Sequence, residues 1–202
     1  RRDLGIHTGA LGDAAVDLIE SGVINNARKS RDAGIAIAGL AMGGPKLHRF
    51  LHGNRSVQFR SVEYTHDAQV LASHDRLAAI NSAVEVDLTG QINAEVAGGT
   101  YVGAVGGAID FLRAAHRSRG GLPIVALAAT VGEGEKCSSR IVARLSGPVS
   151  TPRSDTGLIV TEYGVADLRG LSLSQRIARM IEIAAPEFRE GLARAAAERD
   201  YD

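Results

Sequence analysis

One run of residues near the middle of the chain joins a glycine-rich backbone to a helical pattern. From Gly103 to Phe111 it reads Gly-Ala-Val-Gly-Gly-Ala-Ile-Asp-Phe, and the apolar residues Ile109, Leu112 and Ala115 recur with a helical period. Glycine allows the backbone to approach a ligand closely, and the first N–H groups of a helix lack intrahelical acceptors. The run therefore predicts a loop that binds an anionic or acyl ligand, although a glycine-rich helix start without a ligand has the same pattern.

His66 and Asp67 are adjacent residues of types that suit general acid–base chemistry. An imidazole near its ordinary pKa can take a proton from water, so His66 is a candidate general base. Adjacent side chains of an extended chain point to opposite faces, so Asp67 is not expected to orient His66. His7, in a predicted strand, is interpreted as a hydrogen-bonded packing residue.

The remaining histidines do not indicate a metal site. His48 and His52 are four residues apart on a predicted helix, but without a carboxylate at a ligand spacing they are interpreted as a solvated face. A single cysteine, Cys137, excludes an intramolecular disulfide framework and a multi-cysteine metal site. We therefore expect no metal.

Composition limits the class of function. The 202 residues are 45% hydrophobic but only 4% aromatic, which favours one compact unit with an aliphatic core. The 23 basic and 23 acidic side chains are interspersed and balance, so nucleic acid and anionic membranes are not expected partners. The longest apolar runs fall well short of the roughly 20 residues of a membrane span, and the start lacks the apolar segment of a secretory signal. We expect a soluble cytoplasmic protein.

Strand and helix patterns alternate along the chain. The predicted strands, bounded by Gly, Pro or Asp, are 35–40, 57–62, 77–88, 124–128, 141–145 and 158–162. The predicted helices are 13–20, 45–51, 108–117 and 172–183, with Ser172 as an N-cap, followed by a terminal helix over 186–202. This alternation predicts an α/β fold, an open and mostly parallel sheet sandwiched by helices.

Two segments carry further expectations. Apolar and acidic residues alternate from Val84 to Leu88 before Thr89 and Gly90, which predicts a half-exposed strand and a local antiparallel hairpin. The run from Leu4 to Thr8 resembles a buried strand with almost no lead-in, so we expect the chain to be the C-terminal part of a longer protein.

Several separated motifs together resemble one family. In chain order they are Leu-Gly-Ile-His-Thr at 4–8, the run 13–22, Ile-Asn-Ser-Ala-Val-Glu-Val-Asp-Leu-Thr-Gly-Gln at 80–91, the glycine run 103–111, Ser-Arg-Ile-Val at 139–142, Val-Thr-Glu-Tyr-Gly-Val-Ala-Asp-Leu-Arg-Gly at 160–170, and Pro-Glu-Phe-Arg at 186–189. They resemble the C-terminal domain of the acetyl-CoA hydrolase/transferase family, which includes 4-hydroxybutyrate CoA-transferase-like enzymes. The resemblance implies a CoA-transferase (NagB/RpiA-like) domain over residues 1–202, the second half of a two-domain homo-oligomeric parent.

The resemblance also implies a reaction and its contacts. Family members exchange CoA between an acyl-CoA and a small carboxylate through an enzyme glutamate that is acylated and then carries CoA. Gly106 and Gly107 match the family's CoA-contacting loop, and Val84 matches a second CoA contact. Asn81 would either hydrogen-bond the ligand or cap a strand end.

The chain departs from the family at two positions. Gly9 stands where the resemblance places the nucleophilic glutamate, and His66 stands where the family more often has Asn. Three hypotheses therefore stay open: a CoA-transferase, an acyl-CoA hydrolase in which His66 activates water, and a noncatalytic CoA-binding protein. Glu95, just before the glycine run, is either a substitute nucleophile or a polar loop residue.

Overall fold

The computed structural model describes residues 2–198, which form two compact units. Unit 1 comprises residues 2–77 and 117–121, and unit 2 comprises residues 78–116 and 122–198. Composition favours one compact unit. No linker-like segment of the sequence marks the boundaries of the two units, so the sequence carries no signal for this division. The last four residues of the predicted helix 186–202 lie outside the described residues.

The bounds of the helices and strands follow chain order. Unit 1 contains β1 (His7–Leu11), α1 (Ala14–Glu20), β2 (Ala36–Ala41), α2 (Pro45–Leu51), β3 (Val57–Phe59), α3 (Val62–Thr65) and α4 (Ala68–Ala72). Unit 2 begins with β4 (Ala78–Asn81), β5 (Glu85–Asp87), β6 (Ile92–Asn93), β7 (Val96–Ala97), β8 (Thr100–Tyr101) and all but the last residue of α5 (Ala108–Arg117). It continues with β9 (Leu122–Ala126), β10 (Thr130–Val131), β11 (Ser138–Ser139), β12 (Ile141–Val142), β13 (Leu158–Thr161), β14 (Gly164–Asp167), α6 (Leu173–Glu182) and α7 (Pro186–Ala197).

Unit 1 is built on a three-stranded parallel sheet in the order β1-β2-β3. Its core holds Val16 of α1 and Leu47 of α2, together with small residues of β2. The predicted strand at 4–8 begins later, at His7, and Leu4 is 42% exposed because it makes a single bridge to Ile24 instead of joining the sheet. The expected buried strand at Leu4 is therefore wrong.

Unit 2 contains two larger sheets and two small hairpins. In the four-stranded sheet, ordered β14-β13-β9-β4, only the β13–β14 pairing is antiparallel. In the three-stranded sheet, β5 pairs in parallel with β12 and antiparallel with β6. The predicted α/β class with mostly parallel strands and helices is confirmed, although several separate sheets replace the single expected sheet.

Local signals located the longer helices but gave no prediction of α3 and α4. Helices α2 and α5 have the predicted bounds, with Pro45 in the first turn of α2. Ser172 caps α6, and Gln175 completes a capping box with it.

The strand predictions needed more correction. The predicted strand 57–62 stops at Phe59, and Val62 opens helix α3 instead. The predicted strand 77–88 breaks between β4 and β5, and the predicted strand 141–145 contains only β12. A run of β-branched residues indicates a tendency to form a strand. Where the strand ends depends on which neighbouring strands it can pair with in the folded protein.

The hairpin after Val84 forms, but its strand is not half-exposed. Strand β5 pairs with β6, and Glu85, Val86 and Asp87 are all buried. The Asp87 carboxylate accepts from the backbone N–H groups of Thr89 and Gln91, at 2.8 and 2.9 Å. Those hydrogen bonds replace water, so an acidic residue can face inward here.

Among residues 2–198, no helix is both long and apolar enough to cross a membrane. Within the same residues, no group of three or more His, Cys, Asp or Glu side chains is arranged to hold a metal ion.

Candidate active site

A pocket in unit 2 brings the glycine run together with the end of strand β4. Asn81, the last residue of β4, and Gly106 both line this pocket. Ile92, Leu112 and Val125 contribute apolar walls. The carboxyl ends of parallel strands are where α/β sheets commonly bind ligands, so the pocket is a candidate site for a small group flanked by polar atoms.

Gly106 lines the pocket, and Gly107 follows it directly before α5. The Gly107 carbonyl accepts the first hydrogen bond of α5, from the Asp110 N–H at 3.1 Å. Among the described residues, no protein oxygen accepts from the N–H groups of Gly106 and Gly107. These groups stand at a helix start, where the helix dipole also favours an anion or a developing negative charge.

Two glycines of the run are required for different reasons. A Cβ on Gly103 would lie 2.5 Å from the Ala94 carbonyl oxygen, so packing excludes a side chain there. A Cβ on Gly106 would meet no heavy atom within 4 Å, and the φ of Gly106 is not left-handed. Neither backbone conformation nor packing within the protein explains glycine at 106, whereas close approach of a ligand would.

The buried carboxylate of Glu95 positions Ser150, one of the residues that line the pocket. Ser150, a lining residue, donates through its hydroxyl to Glu95 at 2.6 Å and accepts from the Ala94 N–H at 3.0 Å. Asn93 fixes the turn that precedes Glu95, since its side-chain oxygen Oδ1 accepts from the backbone N–H groups of Glu95 and Val96, each at 3.0 Å. Glu95 therefore orients Ser150, which supports the interpretation of Glu95 as a polar loop residue.

Val84 lies apart from this lining. Its N–H donates to the Asn93 carbonyl at 2.8 Å, and its carbonyl accepts from Arg140 Nε at 2.7 Å. The Arg140 guanidinium also donates to the Ala83 carbonyl. Only the side chain of Val84 is left for a ligand contact, and Arg140 serves to anchor the segment between β4 and β5.

Gly9 lies in the parallel sheet of unit 1. It sits inside β1 between Thr8, which pairs with Ala38, and Ala10, which pairs with Leu40. Alternation along β1 places Gly9 on the same face as His7. A side chain is absent at the position that the family resemblance assigns to a nucleophile.

His7 begins a chain of hydrogen bonds that passes through Thr65 to His66. The Nε2 atom of His7 lies 3.1 Å from the Thr65 carbonyl oxygen, and its Nδ1 lies 3.2 Å from Nε2 of His74. Thr65 Oγ1 lies 2.9 Å from Nδ1 of His66. Thr65 is fully buried and His66 is half-buried, so the chain runs from the interior of unit 1 toward its surface.

Burial keeps the two inner imidazoles neutral. The pKa of His74 is lowered to about 4, chiefly by desolvation and in addition by the neighbouring His7 and Lys29. Desolvation likewise lowers the pKa of His7, against the opposing effect of its hydrogen bond to the Thr65 carbonyl. Desolvation also lowers the pKa of Lys29, to about 8, while Asp32 opposes that shift.

The other polar residues singled out in the sequence have separate roles. Asp67 caps α4, since its Oδ1 accepts from the N–H groups of Gln69 and Val70. His48 and His52 are exposed, as expected for a solvated helix face. Thr65 carried no sequence signal, because its partner His7 is 58 positions away.

Comparison with known proteins identifies the family to which the chain belongs. A family model, the acetyl-CoA hydrolase/transferase C-terminal domain, matches residues 43–196. A 4-hydroxybutyrate coenzyme A transferase of Clostridium kluyveri is 38% identical over 192 residues, which are 95% of this chain and 45% of that protein. A butyryl-CoA:acetate CoA-transferase of Anaerostipes caccae is 40% identical over 194 residues, which are 95% of this chain and 44% of that protein.

A solved structure shows the same fold. The crystal structure of RipA from Yersinia pestis is 42% identical and superposes with a TM-score of 0.92, covering 98% of this chain and 44% of that one. The chain thus spans less than half the length of the relatives that it matches. By its sequence and its fold, the chain belongs to the acetyl-CoA hydrolase/transferase family, as a C-terminal domain of that family.

Proposed function

We propose that residues 1–202 form the CoA-binding second half of a CoA-transferase. The whole protein would transfer CoA between an acyl-CoA and a small carboxylate, with CoA as a substrate and without a metal. Its first half would be supplied by the same parent protein. Membership of the family supports this proposal, and the two relatives described above are named as CoA-transferases.

The open glycine loop of unit 2 is the observation that carries the proposal. The N–H groups of Gly106 and Gly107 have no protein acceptor among the described residues, and space is open beside Gly106. A thioester oxygen or another anionic part of CoA would satisfy them. Asn81 would add an amide contact from the same pocket, and Val84 would contribute an apolar contact through its side chain.

Glycine at position 9 shapes the chemistry of transfer. A glycine cannot be acylated through a side chain, so the acceptor carboxylate itself would attack the thioester carbonyl. The new C–O bond forms as the C–S bond breaks, which gives a mixed anhydride and CoA thiolate. The thiolate then attacks the acceptor's carbonyl carbon and releases the original acyl group as a carboxylate.

Acyl-CoA hydrolysis is the second candidate, and the same glycine favours it. Without a carboxylate at position 9, water has one fewer competitor for the thioester carbonyl. The two candidates differ in their products, since hydrolysis releases free CoA without an acceptor. A noncatalytic CoA-binding protein would give neither product.

The deciding experiment incubates the complete parent protein with an acyl-CoA and a panel of isotopically labelled small carboxylates. We expect label in newly formed acyl-CoA, and sequential instead of ping-pong kinetics. Free CoA formed at the same rate without an acceptor would establish the hydrolase. CoA saturation in calorimetry without turnover would establish the noncatalytic protein, and absence of CoA binding would overturn all three hypotheses.

The remaining expectations concern assembly and location. We propose a homo-oligomer, as implied by the family resemblance, and a cytoplasmic location, as expected from the sequence. Light scattering of the parent protein after size-exclusion chromatography tests the first, and cell fractionation tests the second.

A further inference from the structure

One side chain of the pocket in unit 2 combines deep burial with a polar group that no protein group satisfies. Thr151 lines the pocket and is only 5% exposed. We propose that its hydroxyl, together with the carboxamide of Asn81, binds a neutral amide group of the ligand, which in CoA is an amide of the pantetheine arm. The choice of CoA rests on the proposed function, whereas the choice of a neutral amide rests on the pocket.

The hydroxyl of Thr151 is open to the pocket. It has no hydrogen-bond partner in the described part of the chain. Within residues 2–198, every side-chain oxygen or nitrogen that is shut off from solvent does have a partner. The Thr151 hydroxyl is therefore not enclosed by protein, and it reaches solvent through the pocket that Thr151 lines. A ligand group that enters the pocket can both accept from this hydroxyl and donate to it.

The neighbouring Ser150 shows that this freedom is specific to Thr151. Both residues line the pocket, but the Ser150 hydroxyl already donates to Glu95 at 2.6 Å and accepts from the Ala94 N–H at 3.0 Å. Thr151 is fixed through its backbone instead, since its N–H donates to the Ile92 carbonyl at 3.2 Å and its carbonyl accepts from the Ile92 N–H at 3.0 Å. Its side chain therefore has a defined position from which to bind a ligand.

Asn81 adds a second polar group without a protein partner to the same lining. Its carboxamide makes no hydrogen bond among residues 2–198, so its NH2 group can donate and its oxygen can accept. With the hydroxyl of Thr151, the pocket thus presents both donors and acceptors. An amide of the ligand has a carbonyl and an N–H and satisfies both kinds. A thioester carbonyl can only accept and would leave the acceptors of the pocket unpaired.

The absence of charge in the lining distinguishes an amide from the other polar groups of the substrates. The described residues that line the pocket are apolar, glycine or neutral polar, and none of them has a charged side chain. A phosphate or a carboxylate among Ile92, Leu112 and Val125 would lose water without gaining a cation. A neutral amide has a smaller desolvation penalty, which hydrogen bonds to Thr151 and Asn81 offset. The phosphates of CoA and the acceptor carboxylate therefore bind outside this pocket.

The amide site lies next to the glycine run, since Gly106 lines the same pocket. In CoA, a short ethylene link joins the sulfur to the nearer amide of the pantetheine arm. An amide held by Thr151 would therefore keep the thioester oxygen close to the open N–H groups of the run. Binding at Thr151 thus positions the thioester without contacting the reacting atoms.

Calorimetry of the complete parent protein tests the amide site with CoA, with pantetheine, which carries the arm without phosphates, and with ADP, which carries phosphates without the arm. Thr151→Val keeps the shape but removes the hydroxyl, and should weaken the binding of CoA and of pantetheine about tenfold. Thr151→Ser retains a hydroxyl and should stay within about threefold of the unsubstituted protein. ADP binding should not change in either variant.

Thr156→Val is the matched control. The Thr156 hydroxyl is also buried, but it donates to the Gly90 carbonyl at 2.7 Å, and Thr156 is not among the described residues that line the pocket. Thr156→Val should unfold at a lower urea concentration and bind pantetheine normally. Thr151→Val should unfold no earlier than the unsubstituted protein, because it removes a hydroxyl that has no protein partner. A loss of stability in Thr151→Val as large as that in Thr156→Val would assign Thr151 a structural role and overturn the inference.

Two binding results would also overturn it. One is equal affinity of the unsubstituted protein and Thr151→Val for pantetheine, and the other is a parent protein that binds CoA but not pantetheine at millimolar concentration. Failure of the proposed function gives a different result. If the parent protein binds pantetheine through Thr151 but neither transfers nor hydrolyses acyl-CoA, the proposed function fails and the amide site stands. A parent protein that binds neither CoA nor pantetheine would overturn both.

Discussion

The chain contains two glycine-rich turns that lead into helices, one in each unit, and they differ in what their N–H groups bind. Before α2, the Asp13 carboxylate accepts from Gly44 N–H at 2.9 Å and from Leu47 N–H at 3.3 Å. Before α5, the N–H groups of Gly106 and Gly107 have no protein acceptor among the described residues. The Asp13 carboxylate therefore accepts from N–H groups at the start of α2. At the start of α5, the N–H groups of Gly106 and Gly107 remain available to a ligand.

This difference distinguishes a glycine that packing within the protein requires from a glycine that leaves space for a ligand. A Cβ on Gly43 would lie 2.8 Å from Asp13 Oδ2, so glycine is needed there to admit the protein's own carboxylate. A Cβ on Gly106 would meet only open space. The same residue type before a helix therefore indicates a ligand only where the structure shows that no internal group has taken the site.

The largest effects should come from single substitutions of Gly103 and Gly106, two glycines of the run before α5, by alanine. Gly103→Ala places a methyl group against the Ala94 carbonyl and should lower the free energy of unfolding by about 2 kcal/mol. Gly106→Ala should change it by less than about 0.5 kcal/mol but weaken CoA binding about tenfold. Urea unfolding and calorimetry measure the two quantities. A Gly106→Ala variant that binds CoA normally would remove the ligand interpretation of the open turn.

A smaller effect is expected at the first turn. Asp13→Ala leaves two N–H groups of α2 without their acceptor and should cost about 1.5 kcal/mol of unfolding free energy. Asp13→Asn keeps an acceptor oxygen and should recover most of that loss. Urea unfolding of both variants checks the expectation. If Asp13→Ala is as stable as the unsubstituted protein, the contrast between a filled and an open turn loses its energetic basis.

The smallest effect concerns pH and is confined to unit 1. Because the pKa of His74 is lowered to about 4 by burial, the folded state disfavours its proton, and the unfolded state binds more protons between about pH 6.5 and 4. His7 acts in the same direction. Stability should therefore be complete above pH 6.5 and fall on acidification by about 1 kcal/mol, after allowance for solvent screening.

Urea midpoints at pH 7 and pH 4.5 measure that loss. His74→Gln, which keeps a side-chain N–H donor but does not titrate, is the matched control and should show a smaller acid effect. An equal loss in both proteins would assign the pH dependence to other groups.

Local sequence signals predicted where helices begin more accurately than they predicted which residues are in contact. Pro45 and Ser172 marked helix starts correctly, because first-turn proline and capping act over a few residues. Strand β5 was expected to be half-exposed but is buried, because Glu85 finds the N–H of Ser146 at 2.6 Å, 61 positions away. No local pattern reports a hydrogen bond over that separation.

The candidate site shows the same division. Family motifs pointed to Asn81 and Gly106, which the structure brings to one pocket, and also to Val84, which it does not. Glu95 was singled out as a polar loop residue or a nucleophile, and only its contact with Ser150 showed what it orients.

By itself, the sequence determined the α/β class, the starts of α2, α5 and α6, the family motifs and the absence of a side chain at position 9, since these depend on residue type and short spacings. Only the tertiary structure decided which glycine turn stays open and which carboxylates are buried. The filled turn depends on Asp13 and Gly44, which are 31 positions apart, and the burial of Glu85 depends on Ser146, 61 positions away, so both contacts form only when the chain folds.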